Sequence, residues 1–316
     1  MKVTVLVIAY NHERFIRQAI DSALAQQTEV DFEILISEDC STDGTRKIVL
    51  EYAAAHSDKI HVQLSPVNFG DSRAIEGVYK SIRGEYIALM DGDDYWTSPH
   101  KLQKQVEFME RHPEFSICWH YREHVDVEGK PMANQPAHSS KKIWFVEDIL
   151  KECPIGTSSV VLRRSMLPPF PDWLDQCAFL DFPLFVLCMQ NGPGGYIDES
   201  LCAYRVHKDG LYSGLDELAQ KLLYQRTYRL VYYHLPSCQQ EQFARLFARK
   251  WASIAMLQSL KGDRLACKKT AREGLADFPH DLRLRLLAHV PIAYAPLRAT
   301  WIAWKHFCGG TVQDED

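Results

Sequence analysis

A doubly covered, mostly parallel α/β sheet of Rossmann-like type, followed by an all-helical region, is the fold class the sequence predicts. Three observations carry it. Short β-branched runs alternate with helix-period stretches through roughly the first third of the chain, the rhythm of strands joined by crossover helices. The strand-like runs are apolar almost throughout, as in strands buried on both faces. From Asp216 onward strand signals stop and helix-like segments follow one another.

Each element has its own signal. Val3–Ala9 is a continuous apolar run and reads as the first strand. Between Arg14 and Gln26, residues Phe15, Ile16, Ala19, Ile20, Ala23 and Leu24 form one helical stripe. Glu33–Ser37 is the second strand, and Asp43-Gly44 opens a helix bearing Ile48, Val49, Tyr52 and Ala53. His61–Leu64, Asp71–Ile82 and Tyr86–Met90 follow as strand, helix and strand. A helix over 99–111 is ended by His112-Pro113, after which the pattern loosens. Phe115–His120 reads as a strand, Glu128–Pro131 as a turn, and the polar, aperiodic Met132–Lys142 as a mobile loop. Ser158–Leu162 and Leu201–Val206 read as strands on either side of a helix that starts near Asp181. Segments 217–235, 239–260, 263–277 and 281–304 are helices separated by Pro236, Gly262 and Pro279. This sets a catalytic-type domain at 1–215 and a helical region at 216–316. Within the latter, 251–279 resembles one tetratricopeptide-type hairpin. Leu286–Trp304 is rich in apolar residues, but Pro291, Pro296 and Arg298 interrupt it too often for a membrane span.

With 46% hydrophobic and 24% charged residues the 316-residue chain is globular. Its nine cysteines are scattered without a C-x-x-C pair, which fits reduced thiols and a cytoplasmic location better than a disulfide framework or zinc site. The apolar start runs at once into Asn11-His12-Glu13-Arg14, so it reads as a buried strand and not as a signal peptide. The net charge of -5 hides an asymmetry: residues 217–306 hold 15 Lys/Arg against six Asp/Glu. Either that basic helical surface is simply solvated or it meets something anionic. An interfacial contact with the inner face of a membrane and packing against a second subunit both remain open for 216–316. No nucleic-acid partner is expected.

Ligands of such sheets bind at the carboxyl ends of the strands, where Tyr10-Asn11, Glu38-Asp39 and Asp91-Gly92-Asp93-Asp94 all fall. Carboxylates at i and i+2 after a strand project to one side. Crowded there they repel one another unless they hold a cation, and hard oxygens suit Mg²⁺ or Mn²⁺ bridging a diphosphate. Taken singly, each motif has a plainer explanation. Asp91–Asp94 makes a solvated turn, Ser41-Thr42-Asp43 a helix cap, and Asp181 a cap ahead of Pro183.

Together they resemble one family. Tyr10-Asn11-His12-Glu13-Arg14-Phe15-Ile16, Ser22–Gln26, Glu38–Thr45, Asn68-Phe69-Gly70 and Gly84–Trp96 stand in the order and spacing of family 2 of the inverting glycosyltransferases, which have the GT-A fold. The resemblance covers residues 1–215 and departs at Ala74-Ile75-Glu76, where many members carry Arg-Asn. It implies a nucleotide pocket lined by Ala9, Tyr10, Asn11, Glu13 and Gly92. Asp39 would contact the uracil or other pyrimidine, and Asp91 the ribose or a metal-bound water. Asp93 would ligate Mn²⁺ or Mg²⁺, with His207 as a second ligand or phosphate contact. Asp94, Arg205 and Lys208 would support the site. Asp181 is then the base that deprotonates the acceptor hydroxyl, since the reaction needs one. Gly156–Arg163 would front the acceptor, with Trp96, Trp119 and Trp173 available to stack on sugar faces. The implied partners are a UDP-sugar donor and a glycan or lipid-linked glycan acceptor. Two competing functions are a sugar-nucleotide pyrophosphorylase, which would want a Gly-rich phosphate loop in place of Tyr10–Arg14, and a non-catalytic glycan-binding scaffold.

Overall fold

The computed structural model describes residues 1–70 and 75–289, and the chain divides into two units, Met1–Gly214 and Leu215–Asp316.

In the first unit β1 (Val3–Ala9) lies between β2 (Phe32–Glu38) and β4 (Tyr86–Asp91), with β3 (Ile60–Leu64) outside β2, all parallel. Every residue of β2 is buried, and β1 and β4 each have one half-buried residue, which is why their sequences are apolar without alternation. Helix α1 (Ile16–Leu24) turns Ile16, Ala19, Ile20 and Ala23 inward, and α2 (Thr45–Ala55) adds Ile48 and Val49. These side chains share one core with Val5, Val7, Ile34, Ile36, Ala88 and Met90. Burying each such aliphatic side chain stabilises the fold by about 1.5–3 kcal/mol. Helix α3 (Ile75–Lys80) sits where the third helix was expected; the start of that helix at 71–74 lies outside the described residues, as do the side chains of the Ala74-Ile75-Glu76 departure. Helix α4 (Lys101–Arg111) ends before Pro113.

Beyond β4 the sheet becomes mixed. Strand β8 (Val161–Arg163) runs antiparallel to β4 and to β6 (Ile117–Val125). Strand β6 is parallel to β9 (Gly194–Arg205), which also pairs antiparallel with the two-residue strands β5 (Tyr95–Trp96) and β7 (Ile143–Trp144). The mostly parallel sheet expected from sequence thus holds for β1–β4, while β5, β7 and β8 in the second half pair antiparallel. Strands β6 and β9 are longer than the sequence indicated because their polar middles are only half-buried. The expected strand from Ser158 begins instead with a 3₁₀ turn at Thr157–Ser159. The register between β6 and β9 shifts twice: His120 faces Ile197, Tyr121 faces Ser200 and Arg122 faces Cys202, so the longer strand bulges outward at Asp198-Glu199. Helix α5 (Val146–Lys151) follows β7, and α6 (Asp181–Met189) starts at Asp181 as anticipated. Residues 132–142 form no regular element, yet the Gln135 side chain bonds both backbone groups of His124, at 2.7 and 2.8 Å.

The second unit contains α7 (Glu217–His234), α8 (Ser237–Leu260), α9 (Arg264–Asp277) and α10 (Leu282–His289). Asp216 and Asp263 cap α7 and α9 by accepting from Ala219 N and Ala266 N. Gly262, at φ +86°, makes the turn between α8 and α9. A Cβ at Gly274 would stand 3.0 Å from Leu284, so α9 and α10 pack closely there. The last expected helix is described only to His289; its continuation to 304, with Pro291, Pro296 and Arg298, lies outside the described residues. Among the described residues none of the eight cysteines is placed in a disulfide, and no helix is long and apolar enough to cross a membrane.

Candidate active site

The parallel register brings three strand ends together: Ala9 is opposite Glu38 and Ile8 is opposite Asp91. Past Ala9 the chain turns through Asn11, whose φ of 55° is one an asparagine tolerates. This turn is laced to the start of α2. Asn11 N and His12 N donate to Ser41 Oγ at 3.0 Å and Thr45 Oγ1 at 2.8 Å. Asn11 Oδ1 accepts from Thr42 N, and Glu13 Oε2 accepts from Gly44 N at 3.0 Å. Asp39 accepts from Phe69 N and Gly70 N, both at 3.1 Å, one on each carboxylate oxygen. Of the expected nucleotide set, then, Asn11, Glu13 and Asp39 shape the rim through backbone contacts. Tyr10 presents its ring to solvent, and Ala9 is buried behind them.

Gly92 is required by packing: a Cβ would lie 2.7 Å from His12 Nδ1 and 3.0 Å from Ile8 O. The three carboxylates around it have different partners. Asp93 faces two imidazoles, with His207 Nε2 at 3.0 Å and His12 Nε2 at 3.6 Å from the same oxygen, Oδ2. Burial raises the Asp93 carboxyl, but the His207 hydrogen bond and the two histidines outweigh it and hold the group below its ordinary value. Asp94 is buried and accepts from Ser158 Oγ at 2.7 Å and Arg205 N at 2.9 Å. Burial and the neighbouring Asp93 push it up to about 7. Asp91 is pushed well up by burial and by Asp93, Asp94 and Asp181. Its N–H donates to the same Ser158 Oγ at 3.0 Å.

Across the cluster Asp181 begins α6. Its Oδ1 accepts from its neighbour Phe182 N at 2.8 Å and Oδ2 from Thr157 Oγ1 at 3.2 Å; the N-cap position of the helix is Leu180, so Asp181 is not the cap that its place before Pro183 suggested. Burial raises this carboxyl, offset by the Phe182 N–H, Thr157 and Arg122. The Gly156–Ser159 segment thereby ties both sides together, with Thr157 on Asp181 and Ser158 on Asp94 and Asp91.

Other expected contributors sit elsewhere. Arg205 is 3% exposed, and its guanidinium donates to Asp93 O, Asp126 O, Val127 O and Gln18 Oε1. It clamps the backbone of the site through these bonds. Lys208 is exposed. Trp96 and Trp119 are packed in the core and have no face to offer a sugar, whereas Trp173 is half-buried. Sequence reasoning gave His12 and Arg122 no role of their own, and placed Thr157 and Ser158 only within a segment expected to front the acceptor. The only sequence signal for Ser158 was its place in the Gly156-Thr157-Ser158-Ser159 run; nothing local marks Arg122 or His12.

Comparison with known proteins concerns the family and the fold. The model of the family described as glycosyl transferase family 2 matches residues 4–167. An uncharacterised protein of Mycobacterium tuberculosis is 36% identical over 210 residues, 66% of this chain and 60% of that protein. The chain therefore spans well under two thirds of that relative. The UDP-Glc:alpha-D-GlcNAc-diphosphoundecaprenol beta-1,3-glucosyltransferase WfgD of Escherichia coli is 31% identical over 168 residues, covering 53% of this chain and 62% of its own. Among solved structures, S. aureus TarS 1-349 in complex with UDP-GlcNAc superposes with a TM-score of 0.64 at 17% identity, over 100% of this chain and 94% of that one. The mannosyltransferase PcManGT of Pyrobaculum calidifontis, in complex with GDP-Man and Mn²⁺, does so with a TM-score of 0.59 at 17% identity, over 96% of this chain and 80% of that one. At such identity these two likenesses concern the fold, which is GT-A.

Proposed function

Since the chain belongs to glycosyl transferase family 2, we propose that it transfers a sugar, with inversion, from a UDP-sugar to a hydroxyl of a glycan or lipid-linked glycan. The observation that carries this is that one turn ties both groups of carboxylates together: Thr157 bonds Asp181, at the start of α6, and Ser158 bonds Asp94 and the backbone of Asp91, at the end of β4. WfgD, by its name, uses UDP-Glc and a diphosphoundecaprenol-linked acceptor, which favours the same donor and acceptor classes here.

Divalent-metal chemistry fits the residues present. Asp93 offers an oxygen toward which His207 and His12 both turn an imidazole nitrogen, and both Nδ1 atoms are buried without a hydrogen-bond partner. Among the described residues no three His, Cys, Asp or Glu side chains form a metal cage by themselves. A Mn²⁺ or Mg²⁺ ion would be held by Asp93 and His207 and completed by donor phosphates and water. When bound, the ion neutralises charge that builds on the departing diphosphate. The chain's own residues do the rest. Asp39 keeps a free lone pair on each oxygen for a pyrimidine N–H, and the Tyr10–Asn11 turn walls the nucleotide. Thr157 turns Asp181 Oδ2 toward the acceptor, and Asp181 takes the hydroxyl proton as the acceptor oxygen attacks the anomeric carbon opposite the leaving group.

Transfer and hydrolysis assays with a UDP-sugar panel and Mn²⁺ test this directly. Asp93→Ala should abolish transfer and metal-dependent UDP binding together. Asp181→Asn should abolish transfer, by about 100-fold or more, and leave UDP binding intact. Full transfer by Asp181→Asn would overturn the base assignment.

A further inference from the structure

Arg122 has no part in the reaction as set out above, yet the structure makes costly room for it. It lies on β6 and donates from Nη1 to Pro154 O at 3.0 Å. Its guanidinium is 5.5 Å from the centre of the Tyr204 ring, and its Nε is buried with no hydrogen-bond partner. Above it passes Gly156, where a Cβ would fall 2.3 Å from Nη1 and 2.7 Å from Cδ and Cζ. Any side chain at 156 would therefore displace the arginine or lift the segment. That segment carries Thr157, which holds Asp181, and Ser158, which holds Asp94 and Asp91.

We propose that Arg122 is a positioning residue for the transfer reaction: wedged under Gly156, it fixes the Thr157–Ser158 turn and supplies the positive charge that faces Asp181. This rests on Asp181 being the base. Asp91 from β4 and Arg122 from β6 act on Asp181 with opposite signs. A half-buried cation beside a buried carboxylate favours its ionised form, and a base must be ionised before it can take a proton.

The test compares full-length wild type with Arg122→Met, Arg122→Lys and Gly156→Ala. Transfer kcat and donor KM are measured across pH, and UDP binding is measured separately. Arg122→Met should lower kcat by about tenfold or more and move the acid limb of the kcat profile up by about one pH unit. Donor KM and UDP binding should stay within about twofold. Arg122→Lys keeps the charge and should return the limb most of the way. Gly156→Ala leaves Arg122 in place chemically but pushes it aside, and should reproduce the Arg122→Met profile, so it carries the test if that variant does not fold. An unmoved acid limb in Arg122→Met and Gly156→Ala, or a lysine variant no better than methionine, overturns the proposal. Retained transfer in Asp181→Asn would instead overturn the base assignment, whereas an inactive Asp181→Asn with an unmoved limb in the Arg122 variants sinks this inference alone.

Discussion

Lys101 shows how one side chain can stand against the stability of its surroundings. It is fully buried, its Nζ has no hydrogen-bond partner, and it rests 4.0 Å from the centre of the Trp96 ring. Burial brings its ammonium down from 10.5 to about 7. Between those values the unfolded chain binds a proton that the folded chain does not, so the folded state gains stability as pH rises and carries the full cost below about pH 7. Lys101→Met should therefore raise stability at pH 7 by about 1–3 kcal/mol. The advantage over wild type should narrow as pH rises from 7 toward 10. Urea denaturation at pH 7 and 9.5 checks both the sign and the narrowing. At this scale the residues legible as candidates were those in motifs, Asp93, Asp181 and His207. Ser158, Arg122 and Lys101 were not legible, since their partners are 64, 32 and five residues away in the chain or reside on the backbone. A lone serine, arginine or lysine in a sequence does not announce a tertiary partner.

Among the elements, β1 and β4 set the site because their register decides which residues end in the same row. The approach of their N-terminal ends is close. A Cβ at Gly84 would lie 2.3 Å from Thr4 N, and Gly84 N donates to Thr4 Oγ1 at 2.9 Å. Backbone cannot give way as a side chain does, so Gly84→Ala should cost about 1–3 kcal/mol or more. The loss would be read as a lowered thermal midpoint, and UDP binding should weaken only to the extent that the fold does. An unchanged midpoint would show that β1 can shift relative to β4. The parallel strands and amphipathic helices of the first half were legible because continuous apolar runs and helical stripes are local signals. Strands β5 and β7 were not recognised, because two residues carry no period, whereas β8 was expected but starts later, after the 3₁₀ turn at Thr157–Ser159. The length of β9 was missed because Asp198-Glu199 interrupt its apolar pattern while bulging out of the ladder.

For the whole molecule, charge is divided between the two units, with the 15 Lys/Arg of residues 217–306 set against six Asp/Glu. If that surface meets an anionic membrane, the intact chain should float with liposomes containing acidic phospholipid and stay behind with neutral ones. Each basic group near such a surface adds about 1 kcal/mol, screened by salt. Binding that is equal for both liposomes, or unaffected by salt, would leave self-association as the use of this region, and sizing chromatography would then detect it. The break near 215 was plain in the sequence from the loss of strand signals and the onset of helical periods. The mixed sense of the second half of the sheet was not, because strand direction depends on the path of connections that have no pattern of their own.

The register slips between β6 and β9 have a consequence for how such a chain can vary. Asp198 and Glu199 are extruded from the ladder, where Asp198 meets His138 and Lys142, and Glu199 meets Lys104. Everything after them, from Ser200 to Arg205, owes its facing to that extra length. Removing a single residue at the bulge would turn each of these side chains to the opposite face. Arg205 would leave Asp93 and Asp94, and Cys202 would leave its place across from Arg122. The two exposed acids can change in identity at little cost, yet their number cannot change. Homologous chains should therefore tolerate substitution at 198–199 and refuse insertion or deletion there, a pattern opposite to that of an ordinary surface loop.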